Sequence, residues 1–199
     1  MNTGKPMSDI KEKSAIILEQ EEQFAIALAS QVINKPQLSL WMILIPIFFV
    51  FYFTNLSKYK NGCKQFAENY LIDKKRALNE AVAVVDGGRE PDIHALSELS
   101  NMNSEAREKQ ADILAILVEH YSILLKSEGE DFASLIRFAY GSLTDYLLFL
   151  NRLNQAEKEV NKSLKPDLEE SDEVINDIVS NMEVVSERLR RETAESIFR

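Results

Sequence analysis

The sequence predicts an all-α protein, a single transmembrane helix near the N-terminus followed by an antiparallel helical bundle. Three observations predict it. No charged residue occurs from Pro36 to Ser57, and that stretch is long enough to cross a bilayer. Elsewhere apolar residues recur at spacings of three and four. No segment keeps the period-two alternation, bounded by turn residues, that marks a strand.

Composition narrows the function classes. Across 199 residues, 23 Lys and Arg stand against 32 Asp and Glu, a net charge of −9. A general nucleic-acid binder would show a basic surface, so none is expected. With one cysteine and two histidines the chain has neither an intramolecular disulfide framework nor a multi-thiolate metal site.

Residues 1–37 read as an amphipathic helical tail. Its helix runs from Asp9 to Asn34 and opens on Asp9-x-x-Glu12, a pattern suited to an N-cap. Ile10, Ile17, Phe24 and Leu28 share one face, and Lys13, Glu19 and Glu22 lie off it. The later half, FAIALASQVI, is apolar enough to rest on a membrane surface or a partner. Lys35-Pro36 ends the helix, because a residue before proline disfavours the helical region.

Residues 38–57 form the expected anchor. The run Leu38–Leu56, LSLWMILIPIFFVFYFTNL, supplies about the 20 apolar residues that ~30 Å of hydrocarbon demands. Trp41 and Tyr52 suit the two interfaces, and Lys58, Lys60 and Lys64 follow as orienting and lipid-headgroup contacts. The long polar region before the run and the lack of a small-x-small pattern after it predict an uncleaved signal anchor. Lys58, Lys60, Lys64, Lys74, Lys75 and Arg76 on one side, against Lys35 on the other, predict a cytoplasmic C-terminal part and an N-terminus outside. Pro46 lies mid-run and kinks a spanning helix. It also permits a second geometry, a re-entrant wedge turning at Pro46 with both flanks on one side and arms of about ten residues, half a bilayer each.

Residues 58–199 read as a cytoplasmic bundle with helices at about 57–86, 92–101, 103–128, 131–164 and 168–198. Phe66, Tyr70, Ala77, Ala81 and Val84 mark the first face, and Gly87-Gly88 ends that helix. Pro91-Asp92 opens a short helix. Asn103 caps the next, with Ile113, Leu114, Leu117, Tyr121, Leu124 and Leu125 on its core face, and Gly129 stops it. A long helix then carries Phe132, Leu135, Ile136, Ala139, Leu143, Tyr146, Leu147, Leu150 and Leu153. Around YLLFL it is apolar nearly all round, which suits a central place in a bundle. Lys165-Pro166 breaks it, and the last helix carries Ile175, Ile178, Met182, Val185 and Leu189 at a 3-4-3-4 spacing, a short coiled-coil-like seam.

No catalytic, cofactor-binding or metal-ligating constellation stands out. Neither histidine has the Glu-x-x-His spacing of a di-iron bundle, and His94 with Glu98 is only two groups one turn apart. Cys63 has no histidine near it in sequence, and no phosphate-binding glycine loop or nucleophile elbow occurs. The acids that open the last helix and the basic Arg188, Arg190 and Arg191 near its end are expected to complement the helix dipole. The expectation is a non-catalytic, single-pass membrane protein without a cofactor, its bundle acting as a protein-interaction or scaffold module. The bilayer is one partner, and a protein or a second copy the other. Phe138, Leu148 and Phe149 exceed what one bundle face needs and are the candidate interface. The alternative is a membrane-proximal lipid- or small-molecule-binding bundle, its cavity lined by Phe132, Phe138, Tyr140, Tyr146 and Phe149.

Overall fold

The computed structural model describes residues 7–33, 59–100, 102–164 and 172–199. These residues form α1 (Met7–Ile33), α2 (Tyr59–Gly87), α3 (Ile93–Glu98), α4 (Ser104–Lys126), α5 (Phe132–Tyr140), α6 (Leu143–Leu164) and α7 (Asp172–Ile197). The fold is an all-helical packed bundle, and no strand occurs among the described residues. None of the described helices is long and apolar enough to cross a membrane. The expected anchor, with Leu38, Trp41, Pro46, Tyr52, Leu56 and Lys58, lies outside the described residues, as do the side chains of Lys60 and Cys63.

Helix starts follow local chemistry. The carboxylate of Asp92 accepts from the Ala95 N–H at 3.0 Å and starts α3. Asn103 accepts from Ala106 N–H at 2.8 Å and starts α4. Each takes one of the orphan donors that a first helical turn leaves unpaired. The long helix expected over 131–164 is two helices. Gly141 takes the left-handed conformation, φ 67°, and closes α5. Ser142 then opens α6 by accepting from the Asp145 N–H at 3.1 Å. Hydrophobic periodicity runs across this break because both helices bury the same side, which is why the spacing alone merges them.

The largest correction concerns α1. It is a full member of the bundle and no separate tail. Ile10, Ile17, Ala25, Leu28, Ala29 and Val32 are all buried. The N-terminal half, through Ile10 and Ile17, joins Ala77, Leu78 and Ala81 of α2 in the main core. The C-terminal half, through Ala25, Leu28, Ala29 and Val32, joins Phe66, Ala67, Tyr70 and Leu71 of α2 with Met182 and Val185 of α7. α1 and α2 are therefore antiparallel neighbours. The apolar FAIALASQVI half, expected on a membrane or partner, is used inside the protein. Lys13, off the apolar face in the sequence pattern, is buried as well. It donates to the Ser127 carbonyl at 2.7 Å, just past the end of α4, and pairs with Asp9 at 3.0 Å.

α4 and α6 are also antiparallel, as the pairs Glu119–Arg152 at 2.8 Å and Lys109–Glu159 at 3.8 Å require. α6 and α7 run antiparallel through Lys158–Glu187 at 3.2 Å and Asn161–Glu183 at 2.8 Å. The α4–α5 turn is tight. Gly129 has φ 155°, and a Cβ there would stand 2.9 Å from the backbone nitrogen of Leu135. Gly129→Ala is expected to lower the unfolding free energy by about 1–3 kcal/mol, read by urea denaturation. A variant as stable as the parent overturns this account of the turn.

Candidate functional site

The interior is not uniformly apolar. Two cations and two anions lie where α1, α2, α6 and α7 meet. Arg190 of α7 forms a two-pronged pair with Glu157 of α6, at 2.6 and 2.7 Å. It also donates to Tyr70 Oη at 3.0 Å and to Asn154 Oδ1, and it covers the Phe24 ring at 5.4 Å. Lys74 of α2 pairs with Glu21 of α1 at 3.7 Å and lies 5.7 Å from the centre of the Tyr70 ring. Glu21 also accepts from the Tyr121 hydroxyl at 2.7 Å, so α4 is tied in.

Each charge is held by its neighbours. Burial alone would raise the Glu157 carboxyl, but the charge and hydrogen bonds of Arg190 outweigh it and hold it below the ordinary value. Burial alone would lower Lys74, and Glu21 reverses that. Burial raises the Tyr121 hydroxyl well above its ordinary value, helped by the Glu21 carboxylate, so Tyr121 remains a donor. The cluster sums to zero charge and leaves none of its four ions without a partner.

An aromatic group adjoins it. His120 of α4 is 4% exposed. Its ring stacks on Phe149 at 4.0 Å between centroids, and its Nδ1 lies 2.6 Å from the Tyr140 hydroxyl. Burial, with Lys74 adding to it, pushes His120 down to about 3, so the ring is neutral and Nδ1 is open to the Tyr140 proton. Tyr146 and Phe198 extend the group. Between the ionic and aromatic walls lies a cavity of about 50 Å³, lined among others by Glu21, Lys74, His120, Tyr146, Phe149 and Arg190. It has room for roughly three or four water molecules and falls far short of the ~300 Å³ at which ligand pockets begin.

The sequence-predicted site residues are scattered. Phe138 and Leu148 are 59% and 62% exposed. Phe149 is not part of such a surface, because its ring is used on His120. Lys64 is exposed and faces Glu68 at 3.8 Å. Of the five aromatic residues expected to line a cavity, Phe132, Tyr146 and Phe149 do so, Tyr140 packs behind them, and Phe138 points to solvent. The basic end of α7 also differs from expectation. Arg190 turns into the core, Arg188 faces Glu192 at 3.5 Å, and the last turn holds no basic residue, so the dipole role does not apply. His94 is on the surface beside Glu98 at 3.8 Å. No group of three His, Cys, Asp or Glu residues able to hold a metal ion occurs among the described residues.

Glu21, Lys74, Glu157 and Arg190 were not singled out by the sequence patterns. Two signals existed. Lys74 sits on the apolar stripe between Tyr70 and Ala77, and Arg190 shares a stripe with Ala194 and Ile197. No family model, curated protein or solved structure matches the chain. The cluster therefore has to be understood from its own chemistry, which is that of a closed, charge-balanced tie between helices.

Two outcomes follow. Arg190→Met strands Glu157 and is expected to cost about 3–5 kcal/mol, while Arg190→Met with Glu157→Leu costs less than the single change. Urea denaturation of both variants checks this, and equal losses overturn it. For His120, the unfolded ring takes a proton near its ordinary value of 6.5 and the folded ring only near 3. Its folded value is depressed, so its cost is absent above about 6.5 and grows as pH falls towards 3, by about 1.4 kcal/mol per unit. Between pH 7 and 5 the parent should lose about 2 kcal/mol relative to His120→Phe. Parallel pH profiles for the two proteins overturn the assignment.

Proposed function

We propose that this chain is a non-catalytic, membrane-attached helical bundle that serves as a protein-interaction or scaffold module at the membrane. One observation carries the reading. The described helices pack their main apolar faces on one another in two core clusters, whereas Leu38–Leu56 holds no charged residue and has about the length that matches hydrocarbon. The bilayer is the partner that such a run fits. The lysines beside the run, among them Lys58, Lys60 and Lys64, favour the cytoplasmic side for the bundle.

The candidate contact surface comprises Phe138, Leu148 and Ile123, all exposed. The Glu119–Arg152 pair sets the register, so Ile123 and Leu148 fall one turn further along the same α4–α6 seam. A protein partner or a second copy would cover this patch.

The test is flotation of the full-length chain with lipid vesicles. The parent is expected to float, and Phe48→Arg with Phe49→Arg to remain below, since each arginine costs about 2.5–3.5 kcal/mol at the centre of an apolar segment. A parent that stays with the free protein, or a variant that floats equally well, overturns the membrane half. In detergent, Leu148→Asp is expected to reduce chemical cross-linking to itself or to a partner without lowering the melting temperature. A strictly monomeric parent that yields no cross-linked species overturns the interaction half.

A further inference from the structure

The packing of α1 against α2 bears on how the chain meets a membrane, and the argument rests on the membrane attachment proposed above. Val32, one residue before the end of α1, shares an apolar cluster with Phe66 and Ala67, which lie two turns into α2. The same two helices are joined further along by Glu21–Lys74 and Glu22–Lys75, at 3.7 and 3.3 Å. α1 is held separately to α4 through Tyr121–Glu21 at 2.7 Å and Lys13–Ser127 at 2.7 Å. The end of α1 and the start of α2 are therefore neighbours at one end of the bundle.

A spanning helix between them would put these two ends on opposite sides of ~30 Å of hydrocarbon. The contacts named above and that separation exclude each other. We infer that the end of the bundle where α1 finishes and α2 begins faces the membrane, and that α1 and α2 lie on the same side of it. The charge bias then acts on a single surface and does not oppose one flank to the other. The ligand of this end of the molecule is one leaflet of a bilayer.

The test uses the full-length chain with Cys63→Ser, carrying either Ala15→Cys on α1 or Ala95→Cys on α3, both exposed positions. Right-side-out and inverted membrane vesicles of the expression host are treated with a membrane-impermeant maleimide, with detergent-opened vesicles as the reference. Both cysteines are expected to label in the same vesicle orientation and to be protected in the other. Membrane-bound protein whose two cysteines label in opposite orientations overturns the one-sided geometry and leaves membrane attachment standing. Protein recovered entirely in the non-membrane fraction overturns the attachment itself.

Discussion

Four charges, Lys74 and Arg190 buried and Glu21 and Glu157 partly so, join α1, α2, α6 and α7, and they make the helices interdependent. Apolar contacts are forgiving, since a leucine that loses one neighbour accepts another. A buried guanidinium does not behave in this way. Without Glu157, Arg190 would have to leave the core or remain as an uncompensated charge, and either outcome is costly. Because Arg190 also meets Tyr70 and Phe24, its position sets how α7 lies on α1 and α2 together. Lys74 and Glu21 repeat the arrangement across the α1–α2 seam, and Tyr121 extends it to α4. The cluster thus acts mainly on specificity, selecting one arrangement among the many that interchangeable apolar faces permit.

Helix faces were largely legible in the sequence, and the reason is geometric. Residues three and four apart lie on one side of a helix, so Leu114, Leu117, Tyr121 and Leu124 announce a buried stripe without knowledge of what covers it. Caps were legible for a similar reason, since Asp92 and Asn103 act within a few residues of themselves. The break at Gly141 was within reach too. A glycine followed by Ser142-x-x-Asp145 is an end and a start placed side by side, but the continuous apolar stripe across them favoured one long helix.

What the sequence did not reveal is pairing at a distance. Arg190 and Glu157 are 33 residues apart, and Tyr121 and Glu21 are 100 apart. A charged residue on an apolar stripe signals only that something must neutralise it. Which residue does so depends on which helices become neighbours, and local periodicity is silent on that. The same limit explains the misplacement of α1. Its amphipathic pattern is equally good for a lipid surface, a partner or another helix of its own chain, and only the assembled bundle distinguishes them.

The membership of α1 in the bundle reverses the weight of the orientation argument. Counting flanking lysines assumes that the segments on either side are free to be sorted to different compartments. Ile17, Ala25 and Leu28 are completely buried, and drawing α1 across a bilayer would expose them together with the Lys74–Glu21 and Tyr121–Glu21 contacts. Each fully buried Leu or Ile contributes about 1.5–3 kcal/mol, so several of them outweigh the modest bias that a few flanking charges exert. Keeping α1 and α2 on one side retains every one of these contacts. The physical choice thus weighs the burial lost by unpacking α1 against the bias of a few flanking charges, and the core prevails.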